Sequence, residues 1–241
     1  MKGQPTTERP WDRAELPQGE EKVRAVREMF DTIAPRYDLV NRVMTLRLDV
    51  RWRKRTVRTL ALPASSRVLD LAAGTGDLCT ELARQGLRPV SVDLSFGMLA
   101  ADRSGAPRVQ ADILRLPVPH SSVDGVTCGF ALRNLVDLGT FFDELARVLR
   151  PGGRVALLDA SQPENRLMRA GHGFYFGKVV PKIGGLLSDG SAYRYLPRSL
   201  SYLPDPPVML ERLRSAGFES VNRTLLTGGA AQLVTATREA R

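Results

Sequence analysis

The stretch Val68-Leu69-Asp70-Leu71-Ala72-Ala73-Gly74-Thr75-Gly76-Asp77 constrains the fold more than any other part of the chain. A short β-rich run, 67–71, leads through small residues directly into a helical pattern. Glycines at 74 and 76 let the backbone approach a ligand closely, since no Cβ stands in the way. The helix start behind them offers unpaired backbone N–H groups. In open α/β sheets, ligands lie in the crevice beyond the carboxyl ends of the strands, where such a turn sits. The neighbouring pattern agrees. β-rich runs at 67–71, 88–93, 107–111, 123–129 and 154–159 alternate with helical stretches at 77–85, 96–103 and 138–149. Strand–helix alternation predicts a parallel sheet with right-handed crossovers. Leu149-Arg150-Pro151-Gly152-Gly153 stops a helix and turns into the fifth run.

The flanks read differently. Residues 20–34 place Val23, Val26, Met29, Phe30 and Ile33 at helical spacing, with acidic residues at the start and Pro35 as an interruption. A second helical stretch, 48–60, sets Leu48, Trp52, Val57 and Leu60 on one side and Arg51, Arg53, Lys54, Arg55 and Arg58 on the other. Beyond 160, helices are expected at 164–180, 191–203 and 206–216, then strands at 218–226 and 231–237. The expected organisation is a disordered, proline-bearing leader at 1–19, a helical lid at 20–60 and an α/β core at 61–160. Helices and terminal strands at 161–241 complete the same sheet. A length of 241 residues suits one such domain with additions.

Charge narrows the partners. Residues 1–60 hold 14 Lys+Arg against 9 Asp+Glu, residues 61–160 hold 10 against 11, and residues 161–241 hold 11 against 6. Basic flanks around a neutral core suit an anionic surface, whether lipid, nucleic acid or an acidic partner. Cys79 and Cys128 form no spaced pair, and His120 and His172 have no partners at ligand spacing, so neither a disulfide framework nor a metal site is expected. No apolar run approaches the roughly 18 residues of a membrane span, and no apolar signal core opens the chain. A cytoplasmic protein, touching the inner face of the cell membrane at most peripherally, is expected. A homo-oligomer is compatible with the sequence.

Which ligand the turn holds follows by elimination and then by resemblance. A dinucleotide fingerprint needs a third glycine, but Cys79 stands there, and the Gly-Lys-Ser/Thr ending of a phosphate-binding loop is missing. What remains resembles the D-x-G-x-G-x-G motif of class I S-adenosylmethionine (SAM)-dependent methyltransferases, with Ala72 at the first glycine. Asp93 ends the second strand, where a carboxylate can accept hydrogen bonds from ribose hydroxyls. Asp112 follows the third, where this class usually places the residue that meets the adenine amino group. The resemblance implies a Rossmann-like sheet of seven mostly parallel strands with helices on both faces and an N-terminal helical lid. The expected SAM contacts are Asp70, Ala72, Gly74, Thr75, Gly76, Asp93, Leu94, Asp112, Ile113 and Gly129.

A narrower resemblance spans residues 28–237. Met29-Phe30-Asp31-Thr32-Ile33-Ala34-Pro35-Arg36-Tyr37-Asp38, with Asn41, Met44 and Trp52-Arg53, is similar to the opening of the ubiquinone/menaquinone-biosynthesis C-methyltransferases. Phe130-Ala131-Leu132-Arg133-Asn134 resembles their F-G-L-R-N element. Val148 to Gly153, Tyr193-Arg194-Tyr195-Leu196 and Ala216-Gly217-Phe218 match further stretches. The glycine turn and Leu149-Arg150-Pro151-Gly152-Gly153 occur in many methyltransferases, whereas Tyr37-Asp38 and Leu132-Arg133-Asn134 are much more specific. The chain departs from the family at Asp49, where His is usual, at Asp112-Ile113, at Gly129, and at Asp159-Ala160-Ser161.

The resemblance implies methylation of a ring carbon on a prenylated quinol, demethylmenaquinol or a ubiquinone-pathway benzoquinol. The 30 Arg against 5 Lys point by coding association to a bacterial menaquinone pathway. Such a carbon becomes nucleophilic once the neighbouring hydroxyl loses its proton. The site must therefore favour the phenolate and align the carbon with the methyl. Arg133 carries a permanent charge on a planar fork. Asn134 can orient a hydroxyl or water, and Tyr37 can close over the ring. A water held by Arg133 and a carboxylate such as Asp93 is the expected proton relay. The Arg-rich helix 48–60 and helix 164–180 are expected to rest on anionic lipid. A nucleic-acid methyltransferase lacks support: there is no Asn/Asp-Pro-Pro-Tyr/Phe tetrapeptide, no cysteine pair for pyrimidine carbons and no appended RNA-binding module. A SAM-binding scaffold without catalysis would not need the intact turn together with Asp93 and Arg133-Asn134. A different small acceptor is the remaining rival.

Overall fold

The computed structural model describes residues 16–175, 180, 195 and 198–240. Residues 1–15 of the expected leader, residues 176–179 of the expected helix 164–180, and residues 191–194, 196 and 197 of the expected helix 191–203 lie outside them. Three helices come first: α1 (Gly19–Ile33), α2 (Tyr37–Met44) and α3 (Leu48–Leu60). The core follows as β1 (Arg67–Leu71), α4 (Asp77–Arg84), β2 (Arg88–Asp93), α5 (Phe96–Ala101), β3 (Arg108–Gln110), β4 (Val123–Gly129), α6 (Leu138–Val148) and β5 (Leu149–Ala160). Then come α7 (Arg166–Phe174), α8 (Pro206–Ser215), β6 (Phe218–Leu226) and β7 (Ala231–Arg238).

Among the described residues the strands form one seven-stranded sheet in the order β3-β2-β1-β4-β5-β7-β6. β1 to β5 run parallel, and β7 is antiparallel to both neighbours. The chain leaves β1 toward β2 on one side and returns to β4 on the other. The crevice beyond the carboxyl ends of β1 and β4 is therefore the topological switch point, where such sheets bind ligands.

Both faces of the sheet are covered, which is why its central strands read as continuous apolar runs. Phe141, Phe142 and Leu145 of α6 and Leu213 of α8 pack with Leu69, Leu71, Val126 and Leu157. Trp52, Val57 and Leu60 of α3 and Leu78 and Leu82 of α4 pack with Val68, Ala156 and Leu158. A separate cluster joins Ala25, Met29, Ile33, Val40 and Met44 of α1 and α2 to Met98 and Tyr195.

The structure differs from expectation in three places. Pro35 interrupts the 20–34 helix as expected, but an unexpected helix, α2, follows it directly. Pro35 sits in a 3-10 turn, Ala34–Arg36, from which α2 starts, because proline is tolerated in a first helical turn. β5 begins at Leu149 rather than 154, since Leu149 already pairs beside Val123. Arg53 does not share the solvent face of α3 with Arg51, Lys54, Arg55 and Arg58: only 8% of its surface is exposed.

Carboxylates of the helical lid hold it over the core. Asp31 accepts from Ser95 Oγ (2.5 Å) and from the Gly97 amide (2.9 Å) at the start of α5. Asp38 accepts from Thr75 Oγ1 (2.5 Å), inside the glycine turn. Arg42 donates to Asp77 (3.0 Å) at the start of α4. Buried Lys22 donates to the Leu135 carbonyl (2.8 Å) and lies over the Tyr202 ring. Burial lowers its pKa to about 8.

Candidate active site

Two cavities meet where the lid crosses the switch point. The first, about 120 Å³, is lined by Ala72, Gly74, Asp93, Leu94, Ser95, Met98, Asp112, Ile113, Gly129 and Asn134, with Val26, Phe30 and Tyr37 from the lid. The turn can wrap a ligand because its backbone takes positive φ at Ala72 (51°), Gly74 (58°) and Gly76 (84°). A Cβ at Gly74 would meet nothing nearer than Met98 Sδ at 4.0 Å, so that side of the turn is open. A Cβ on Gly76 would stand 2.2 Å from Asp102 Oδ1, so Gly76 is required by packing below the turn.

Asp93 is the buried acid of this cavity. Its Oδ2 accepts the Gly74 amide and its Oδ1 the Ser95 amide, both at 2.8 Å. Burial raises its pKa, and the backbone donors oppose that shift. Each oxygen keeps a lone pair for a ligand hydroxyl. Asp112 caps its own turn through the Leu114 amide (2.9 Å). A cradle of open backbone, a buried diol acceptor and an apolar wall of Met98, Ile113 and Leu114 fits an adenosyl group.

Asp70, Thr75 and Gly76 do not line this cavity. Thr75 faces the lid at Asp38. Asp70 is fully buried beneath the turn, accepting from Thr127 Oγ1 (2.8 Å) and Cys79 Sγ (3.6 Å). Burial lifts its pKa to about 7, which its hydrogen bonds only partly offset. Between about pH 4 and 7 the folded chain therefore holds a proton that the unfolded chain has released. Stability must fall as pH rises through that window, by roughly 4 kcal/mol from this group. Asp70→Asn cannot titrate. Urea unfolding at pH 4.5 and 7.5 is expected to show the variant gaining on the wild type as pH rises. A constant difference would place the Asp70 pKa near its usual value.

The second cavity, about 230 Å³, lies across Tyr37 and Phe130 from the first. Its walls are mostly apolar: Met29, Phe30, Ile33, Met44, Trp52, Leu200 and Ala230. Polar groups enter at Asn41, Thr45, Asp49, Arg53, Arg133, Arg169 and His172. Phe130, between the cavities, takes a left-handed φ of 62°, and its amide donates to the Leu158 carbonyl (2.6 Å). Such strain in a non-glycine residue persists where surrounding structure enforces it.

Arg133 is buried and lines the second cavity. Its Nη1 is ion-paired with fully buried Asp159, its Nε donates to Ser199 Oγ (3.2 Å), and its amide meets the same Asp159 (3.2 Å). Asn134 faces the first cavity and accepts from Tyr195 OH (2.9 Å). Tyr37 borders both cavities, and burial raises its phenol pKa while Arg53 and Arg133 pull it down. Asp93 borders only the first cavity, so it does not face an acceptor in the second. The carboxylate in the second cavity is Asp49, buried and bonded to Thr45 Oγ1 (2.7 Å) and Arg53. Sequence reasoning named neither Asp49 nor Arg53 as a site residue; their i, i+4 spacing was the available signal.

This sheet, with its glycine turn after β1 and its acid after β2, defines a class I SAM-dependent methyltransferase. The chain belongs to the ubiE/COQ5 methyltransferase family, which matches residues 17–238. It is 40% identical to the demethylmenaquinone methyltransferase of a Roseiflexus species, over 91% of this chain and 96% of the relative. It is also 40% identical to the ubiquinone/menaquinone biosynthesis C-methyltransferase UbiE of Geobacter sulfurreducens, over 89% of each chain. A solved SAM-dependent methyltransferase of Thermotoga maritima has the same fold, with a TM-score of 0.63 at 18% identity, over 88% of this chain and 99% of that one.

Proposed function

We propose that this chain methylates the unsubstituted ring carbon of demethylmenaquinol, using the first cavity for SAM and the second for the quinol. The observation that carries this reading is the shared wall. Tyr37 and Phe130 border both cavities, so a ring in one lies against a methyl donor in the other. The mostly apolar second cavity suits a fused aromatic ring with a prenyl chain.

SAM, when bound, supplies an electrophilic sulfonium methyl. Gly74, Asp93, Leu94, Asp112 and Ile113 would hold its adenosyl part, by an open backbone, a diol acceptor and an apolar wall. Asp70 and Gly76 support the turn from beneath, and Thr75 ties it to the lid. Arg133, fixed by Asp159 and Ser199, favours the phenolate form of the ring hydroxyl next to the reacting carbon. Asn134, fixed by Tyr195, borders the SAM cavity and not the acceptor cavity, so it would hold the donor side of the partition rather than the ring oxygen. Tyr37 and Phe130 hold the ring plane and exclude bulk water.

The mouth of the quinol cavity supports a membrane-facing role. Leu39, Val43 and Leu46 stand exposed beside the lining residues Met44 and Thr45. Leu167, Met168 and Phe174 stand exposed on α7 beside the lining residues Arg169 and His172. Leu46 at 74%, Leu167 at 82% and Phe174 at 60% exposure form an apolar rim, edged by exposed Arg36, Arg47 and Arg166. No helix of the described residues is long and apolar enough to cross a membrane. The rim instead suits contact with an anionic bilayer surface from which a prenyl tail can enter.

The test is methyl transfer from radiolabelled SAM to a demethylmenaquinol, offered in anionic and in neutral vesicles, with a benzoquinol precursor and bulk RNA in parallel. Labelling of the naphthoquinol alone, faster in anionic vesicles, is the expected result. Labelling of the benzoquinol alone would move the chain to the ubiquinone pathway. Labelling of neither, with SAM bound, would overturn the acceptor assignment while leaving the fold intact.

A further inference from the structure

The quinol cavity contains a second buried guanidinium that the chemistry above does not use. Arg53 reaches it from α3, a different element from the turn after β4 that carries Arg133. Both are carboxylate-anchored: Arg133 by Asp159, and Arg53 by Asp49, with Asp77 at 3.5 Å. Both act electrostatically on the Tyr37 phenol, so both charges lie near the wall where the ring must sit.

Arg53 commits only Nη1 to these carboxylates. Among the described residues, its Nε–H and Nη2 hydrogens meet no acceptor, although the residue is buried and lines the cavity. These donors are not sealed inside the protein, so a ligand in the cavity can reach them. A buried ion pair is poor stabilising material compared with apolar packing. Arg42 already ties the lid to Asp77, so Arg53 is not needed as a pin. Arg53 Cζ stands 5.4 Å from the Phe130 ring centre, at the partition between the two cavities. Donors left open beside an aromatic slot are what a ring oxygen would complete.

A 1,4-quinol carries two oxygens on opposite sides of its ring, and the cavity carries two anchored guanidinia. We propose that Arg53 donates to the quinol oxygen across the ring from the one handled by Arg133, so that the site selects a 1,4-diol over a ring with a single oxygen. Asp49 is the positioning residue that fixes the Arg53 fork. This inference rests on the quinol reading above.

The test compares two acceptors on the same enzyme preparations: a prenylated naphthalene-1,4-diol, and the naphthol in which hydrogen replaces the far hydroxyl. A ratio taken within one preparation does not depend on how much of a variant is folded. The wild type is expected to favour the diol in kcat/KM by about 100-fold, since a site built to hold an oxygen rejects a ring without one. Arg53→Met is expected to lose about that factor on the diol, to change little on the naphthol, and so to bring the ratio near one. Arg53→Lys, which keeps the pair with Asp49, is expected to fall between them. If Arg53→Met lowers both acceptors alike and keeps the ratio, Arg53 is structural and the proposal is overturned. If the wild type methylates neither ring while calorimetry shows SAM bound, the quinol reading itself fails, a result separable from a preserved ratio.

Discussion

Replacing Arg133 by Ala is expected to abolish methyl transfer while leaving SAM affinity within a few-fold of wild type. Arg133 borders the acceptor cavity and not the SAM cavity, so the two readouts should separate. The change has a second consequence that the sequence alone did not reveal. Asp159 is fully buried, and Arg133 is its ion-pair partner. An uncompensated buried carboxylate costs roughly 3–5 kcal/mol of stability. Arg133→Ala should therefore also lower the unfolding midpoint in urea. The double variant Arg133→Met with Asp159→Asn removes both charges and should recover much of that stability. If it recovers stability and stays inactive, the guanidinium acts in the chemistry. If activity returns with stability, Arg133 belongs to the scaffold and the phenolate must be held elsewhere.

The parts of the fold that were legible are those whose periodicity has one interpretation. The runs of β1 and β4 are buried along most of their length and β2 over its last three residues, and each is followed by turn or cap residues, so sequence and structure agree closely. The SAM turn was legible because its glycines, its preceding strand and Asp93 are set by a single βαβ unit. The role of Asp70 was not. A carboxylate at the end of a strand reads as facing the ligand, and only the third dimension shows Thr127 and Cys79 beneath it. Arg53 was misread for a related reason. On a helix with five basic residues, burial depends on what lies opposite, and Asp49 and Asp77 make an inward-facing arginine tolerable. α2 was hidden because Pro35 is equally a stop for one helix and a first-turn residue for the next. Pairings such as Asp31 with Ser95 join residues of the lid and core that no local pattern links.

Asp93→Asn is expected to be the most damaging single change for SAM binding. The carboxylate does two jobs with two oxygens. It shapes the turn by accepting the amides of Gly74 and Ser95, and it presents its remaining lone pairs to the cavity. An asparagine supplies one oxygen only, and its NH2 must face one of those two amides, donor against donor. The ribose diol then meets one neutral acceptor in place of two charged ones. Hydrogen bonds to charged groups contribute about 1.5–3 kcal/mol each, so losing two corresponds to roughly a hundredfold to ten-thousandfold in affinity. Calorimetric titration with SAM measures this directly. Since Asp93 does not border the acceptor cavity, a saturating SAM concentration should restore much of the turnover in Asp93→Asn, which no concentration does for Arg133→Ala. Affinity retained within threefold would mean that the ribose is held by other groups and that Asp93 serves the turn alone. Loss of turnover that saturating SAM does not repair would instead couple Asp93 to the reacting geometry, through the Gly74 amide it holds in place.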